Sequence, residues 1–206
     1  MTDPNALLVG DASIIINLSA TGCARKILEA LPNRLVVTEI VASELEDGQR
    51  CGWRDRDFLN ELAVANLVEI IKLGEIGEQH FEELVVGRAS ETLDDGEAAT
   101  IAYAAEQGAL ALIDERKGNR ICRDRFPGLH LGCTVDMFAH PGVGQALGQS
   151  GLAAAVLNAL RLAKMRVLPH HIGWVVRLIG PEQAALCSSL PGSVRQQSLK
   201  DTRNIA

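Results

Sequence analysis

The chain has 206 residues, is 47% hydrophobic and 22% charged, and carries a formal net charge of −6 at pH 7. That length suits one domain with an appendage, and it buries enough surface to need no covalent staples. The acidic balance speaks against a plain nucleic-acid binder, which is usually basic, unless several acids are gathered in one metal site. The opening MTDPN lacks the basic and apolar regions of a secretory signal, and no run approaches the roughly 20 apolar residues that span a bilayer. Five cysteines (Cys23, Cys51, Cys122, Cys133 and Cys187) are odd in number and include no C-x-x-C pair. They read as small apolar fillers in a reducing cytoplasm, with little support for zinc or a disulfide framework.

In chain order, Ala6 to Val9 is an apolar run closed by Gly10-Asp11, the pattern of a strand buried on both faces. Asp11 then sits at the strand's carboxyl end, where open parallel sheets place their ligands. A carboxylate there either caps the following helix or holds a cation, because burying an unpaired charge costs several kcal/mol. Ser13–Leu18 and Ala24–Leu31 carry helical spacing, and Leu35–Val37 reads as a second strand. Thr38 serves as N-cap of a helix through Ile40, Val41, Glu44 and Leu45. Together they form a βαβ unit, for which a right-handed crossover is expected. Glu44 shares a face with Ile40 and Val41, which predicts an inward direction.

Arg54–Leu62 predicts a helix and Leu67–Ile71 a strand, while Gly74–Gly87 reads as a helix whose acids face solvent. Ala98, Ile101, Ala102 and Ala105 mark an amphipathic helix stopped by Gly108, lined with alanine and so able to approach a sheet closely. Ala109–Ile113 is a continuous apolar strand ending in Asp114-Glu115, which repeats the arrangement at Asp11. Leu129–Cys133 offers a fifth strand, and Val135–Phe138 starts another helix. Beyond Pro141 the composition turns to Gly, Ala and Leu, with helices expected over Gly151–Met165, His171–Ile179 and Pro181–Ser189. The polar stretch from Ser193 to Ala206 reads as a frayed tail. The expected architecture is an α/β three-layer sandwich around a mostly parallel sheet of about five strands, with a C-terminal helical extension. Residues 1–140 form the principal unit, 141–192 the extension and 193–206 the tail.

Asp11, Glu44, Glu97 and Asp114 fall where such a sheet assembles its cleft at the topological switch point. Two like charges 4 Å apart repel by about 4 kcal/mol at an effective dielectric near 20. Four carboxylates therefore require cations or raised pKa values. Magnesium or manganese suits an all-oxygen set, and one or two such ions could activate a water and steady the leaving oxygen of a phosphodiester. Each acid also has a plainer role open to it. Asp94 and Glu97 match a capping box, Glu44 could be a surface acid, and Asp114 could cap the helix before Arg116.

The segments V-G-D-A-S-I-I-I-N-L, I-V-A-S-E-L, D-D-G-E-A-A-T-I-A and A-L-I-D-E-R-K-G resemble a PIN domain, of the branch with a G-E-A helix start and an I-D-[DE]-R strand end. The resemblance covers Leu7 to Phe138. It implies a metal-dependent endoribonuclease that prefers single-stranded RNA, often a homodimer and often a toxin neutralised by a small antitoxin. Asp11, Glu44 and Glu97 match the first three family acids, with Glu in place of the commoner Asp at 97. Asp114 matches the fourth, and an alignment shifted by one would choose Glu115.

Arg116, Lys117, Arg120, Arg123 and Arg125 lie within ten residues. They could anchor phosphates beside the cleft or form a solvated face. Ser13 could bond a water or phosphate there, whereas Asn17 reads as lining a turn. Aromatic residues make up 3% of the chain, too few for base stacking to dominate affinity. His170 and His171 read as surface residues, lacking a neighbouring Cys in sequence. A different reading is a quiescent member of the fold that binds RNA or protein without cleaving. Titration with Mn²⁺ separates the two, since a quiescent scaffold has no carboxylate-dependent binding. A receiver-type signalling domain would need a phosphoacceptor Asp after a middle strand and a Lys after a late one, and no such pair can be placed.

Overall fold

The computed structural model describes residues 6–50 and 54–205, and Cys51 lies outside them. Five strands form one sheet: β1 (Leu8–Gly10), β2 (Leu35–Thr38), β3 (Val68–Ile71), β4 (Leu110–Leu112) and β5 (His130–Gly132). Their order is β3-β2-β1-β4-β5, and every pairing is parallel. The chain leaves β1 toward one edge through β2 and β3, then returns to build β4 and β5 on the other side. The switch point therefore lies between β1 and β4, whose carboxyl ends carry Asp11 and Asp114.

The strands are apolar on both sides because both sheet faces are covered. Leu8, Leu35, Val37 and Leu112 point into one core, whereas Val9, Val36, Ala111 and Ile113 point into the other. The first core is covered by α1 (Ala12–Thr21), α2 (Ala24–Glu29), α3 (Glu39–Arg50) and α4 (Asp55–Val64). The second is covered by α5 (Glu75–Val85), α6 (Asp95–Gln107) and α7 (Arg116–Arg125). In α6, Ala98, Ala102 and Ala104 are fully buried, and these small side chains let the helix contact β1, β2 and β4 together. Thr38 does cap α3, its Oγ1 accepting from the Val41 amide at 3.2 Å. The acids of α5 named in its sequence (Glu75, Glu78, Glu82 and Glu83) are exposed.

The C-terminal region comprises α8 (Thr134–Phe138), α9 (Pro141–Leu162), a 3-10 turn (Pro169–His171), α10 (Ile172–Ile179), α11 (Pro181–Leu186) and α12 (Gly192–Ile205). Val143, Val156, Met165, Leu168, Val175 and Leu190 share the first core with Leu8, so this region packs on the sheet. Two expectations need correction. Helix α9 begins ten residues earlier than the periodicity suggested and is broken at Gly148, which takes φ 66° and ψ 167°. The stretch expected to fray is instead helical, because Ser198 is buried and α12 lies along α11.

Candidate metal-binding active site

Asp11 is the N-cap of α1. One carboxylate oxygen accepts from the Ala12 amide at 2.7 Å and the other from Ser13 Oγ at 3.0 Å. Capping and membership of an acid cluster turn out to be compatible, because Asp11 also feels the charges of Asp94 and Asp114. Burial is the main cause that pushes its pKa up to about 6, and those two charges add to it against the pull of its hydrogen bonds.

Asp114 is buried beside it at the end of β4. It does not cap α7; Glu115 occupies that position. Instead its oxygens accept from the Thr134 amide at 2.8 Å, Thr134 Oγ1 at 2.6 Å and Asn17 Nδ2 at 2.7 Å. Burial nonetheless dominates these bonds and raises its pKa to about 6. Asn17 thus does more than line a turn: it fixes a strand-end carboxylate 97 residues away in sequence.

Glu97 enters from the first turn of α6 and is 4% exposed. Asp94 caps this helix by accepting from the Glu97 amide at 3.1 Å, but Glu97 Oε1 is buried with no hydrogen-bond partner. Glu97 is therefore not spent on closing the capping box. Burial, then the charges of Asp94, Asp11 and Glu115, push its pKa up to about 8, with Lys117 opposing them. Glu44, on α3, is exposed as a residue rather than turned fully inward as expected. Its carboxyl still reaches the group. Desolvation first, then Asp11, Asp94 and Asp95, raise its pKa to about 7.

Two glycines make room for this convergence. A Cβ at Gly96 would fall on Glu44 Oε2 and within 3.3 Å of Asp11 Oδ1, and one at Gly118 would stand 3.0 Å from Glu97 Oε1. Asp94 joins the cluster through its charge on Asp11, Glu44 and Glu97 alike. Sequence alone gives it only a capping role, although its place in D-D-G-E is a signal. Glu115, the fourth-acid alternative, turns to Arg166 at 2.5 Å and touches the group only through its charge on Glu97.

The carboxylates fit hard divalent cations. The donors are all oxygen, one buried oxygen is orphaned, and Asp11, Glu44, Glu97 and Asp114 are held above their ordinary pKa chiefly by burial, with neighbouring carboxylates adding to it. Glycine at 96 and 118 keeps the space around them clear of side chains.

Beside the acids lie two cavities that share Arg116 and Leu168. One, of about 340 Å³, is lined by Asp114, Glu115, Lys117 and Arg166 among others. The second, of about 450 Å³, is lined by Asn119, Arg120, Arg123 and His170 among others. The basic stretch is thus divided. Arg116, Lys117, Arg120 and Arg123 face these cavities, while Arg125 donates to the carbonyls of Glu83 and Glu91 at 2.6 and 2.8 Å. Arg120 also donates to the Ser90 carbonyl at 3.0 Å.

No curated protein matches the chain. Among solved structures, VapBC2 from Rickettsia felis bound to a DNA fragment from its promoter is similar at 18% identity, with a TM-score of 0.43 over 62% of this chain and 98% of that one. The family model described as a PIN domain (DUF3368) matches residues 7–134. That span takes in the whole sheet and all the acids described above, and the chain belongs to the PIN domain family.

Proposed function

We propose that the chain is a Mg²⁺- or Mn²⁺-dependent endoribonuclease that hydrolyses RNA phosphodiester bonds, with Asp11, Glu44, Glu97 and Asp114 holding one or two ions. Asp94 is an added charge at the same mouth. The observation that carries this reading is the buried, unpartnered Oε1 of Glu97 among carboxylates that all resist ionisation. Such a group is costly on its own and is relieved by a divalent cation. The bound ion supplies Lewis-acid activation of water and charge stabilisation at the phosphodiester.

The chain's own residues prepare the site. Ser13 Oγ holds Asp11 Oδ2, so that carboxylate keeps one orientation. Asn17 and Thr134 do the same for Asp114. In metal-free protein near neutral pH, Glu97 retains a proton that cation binding must displace, since its pKa stands at about 8. Arg116, Lys117 and Arg120 line the flanking cavities, where they would bind phosphates of the RNA strand and steer it across the acids. Family resemblance extends the reading to a homodimer and to a toxin held in check by a small antitoxin protein.

The test is cleavage of a labelled single-stranded RNA by the purified chain. Activity should need Mn²⁺ or Mg²⁺, vanish in chelator and be abolished by Asp11→Asn, a change that keeps a helix-capping side chain. Wild-type rates from Asp11→Asn would contradict the assignment. Metal binding without cleavage would favour a quiescent, RNA-occupying member of the fold.

A further inference from the structure

Around the joint between β5 and α8, the chain gathers three donors of a different chemistry. Cys133 follows β5 and is 1% exposed, Asp136 lies in the first turn of α8, and His171 closes the 3-10 turn of the C-terminal region. Their ligand atoms all lie within 4.8 Å of one another. Cys133 Sγ is 3.2 Å from Asp136 Oδ2, and His171 Nε2 is 3.0 Å from Asp136 Oδ1.

The histidine contact is not a normal hydrogen bond. Nε2 is buried 3.0 Å from Asp136 Oδ1 without the geometry of a hydrogen bond. His170 lies against the same ring, tilted by 46° at 4.1 Å between centroids. A buried imidazole nitrogen with no hydrogen bond, close to a thiol and a carboxylate, is available as a ligand.

We propose that Cys133, Asp136 and His171 form a second metal site, of the zinc class, that fastens the C-terminal region to the sheet. Sulfur and imidazole nitrogen select a borderline-soft ion such as Zn²⁺ over Mg²⁺. With zinc bond lengths of about 2.0–2.3 Å, donors of a tetrahedral site stand roughly 3.3–3.8 Å apart. Cys133 Sγ and His171 Nε2 approach opposite oxygens of Asp136, so with one donor atom taken from each residue the set spans up to 4.8 Å and must contract by roughly 1 Å to reach that spacing. Binding replaces the thiol proton of Cys133 with a metal–sulfur bond and releases that proton to solvent. Burial and the charges of Asp136 and Asp114 disfavour a bare thiolate here, and a divalent cation removes that obstacle. Three protein donors leave a fourth position for water.

The donors come from two places, and their distance apart in sequence measures what the ion would tie together. Cys133 and Asp136 lie just past the sheet's last strand, whereas His171 lies beyond the whole of α9. The site is separate from the carboxylate cleft in donor type, so it stands or falls independently of the nuclease reading.

Cobalt absorption tests the proposal on the full chain, stripped with chelator and given one equivalent of Co²⁺ in excess Mg²⁺. The expected spectrum has a thiolate-to-cobalt charge-transfer band in the near ultraviolet and intense four-coordinate visible bands. Both should be displaced by Zn²⁺, lost in Cys133→Ser and weakened in His171→Gln, but retained in Asp11→Asn. If wild type gives only the weak spectrum of six-coordinate, all-oxygen cobalt, the proposal is overturned whatever the variants do. A charge-transfer band that survives in folded Cys133→Ser would overturn it equally.

Discussion

Asn17 on α1 donates to Asp114 at the end of β4 over 2.7 Å, and the same amide donates to Thr134 Oγ1 at 3.0 Å. One side chain therefore joins the first helix, the fourth strand and the start of α8 around a single buried carboxylate. Asn17→Ala should destabilise the metal-free chain by about 1–3 kcal/mol at pH 8, where Asp114 is ionised and loses a charge-assisted bond. The loss should shrink at pH 5, below the value of about 6 for Asp114, where the carboxyl is already protonated. Urea unfolding at the two pH values measures this, and equal losses at both would contradict the assigned role.

Raised carboxyl pKa values also fix the sign of the overall pH dependence. A carboxyl whose folded value exceeds its unfolded one binds its proton more tightly when folded. Its contribution is full at acidic pH and disappears as pH rises through the folded value. Asp11 and Asp114 stand at about 6, Glu44 at about 7 and Glu97 at about 8. The metal-free protein should therefore lose stability progressively from about pH 4, where these carboxyls titrate when unfolded, to about pH 8, and Mn²⁺ should restore it at the upper end. A urea midpoint that stays flat or rises over this window would count against the cluster.

Gly96 offers a variant in which fold and site are separable. A methyl group there collides with the end of the Glu44 side chain, which can swing outward, and with no backbone atom. Gly96→Ala should preserve the melting temperature or raise it, since alanine favours the helix by up to about 1 kcal/mol. Mn²⁺ affinity should fall roughly 10–100-fold, the usual cost of misplacing a group that orients a metal site. Unchanged affinity in calorimetry would remove Glu44 from the ligand set.

The basic rim predicts a salt signature. Replacing Arg116, Lys117 or Arg120 singly with Ala should weaken binding of single-stranded RNA, measured in chelator to prevent cleavage. Each should lower the slope of log affinity against log salt by about 0.7. Arg125→Ala should leave that slope alone, because it lines neither cavity and both arms of its guanidinium are engaged with the carbonyls of Glu83 and Glu91.

Much of this arrangement was legible in the sequence. Uniform apolar runs before Gly10-Asp11 and before Asp114 announced central parallel strands, and the acids at their ends followed from where such strands stop. What stayed hidden depends on chain segments meeting across long intervals. Asn17 and Thr134 reach Asp114 from 97 and 20 residues away. His171 finds Cys133 only because α9 folds back on the sheet. The role of Asp94 was hidden for another reason: its capping bond explained it fully until the charges around it were placed. Glu44 shows the reverse error, since helical spacing gave its face correctly but not how far its stem stays in solvent. The helix at Gly192–Ile205 escaped because polar composition alone does not reveal the α11 surface it packs on.

Proton release on Mn²⁺ binding reaches the central idea most directly. Calorimetric titration of the metal-free chain at pH 7, in two buffers of different ionisation enthalpy, counts the protons expelled as the ion enters. The carboxylate account predicts net release at pH 7, mainly from Glu97 and Glu44, fading by pH 9 and diminished in Glu97→Gln. Mn²⁺ binding with no proton release, or with release unaltered in Glu97→Gln, would contradict it.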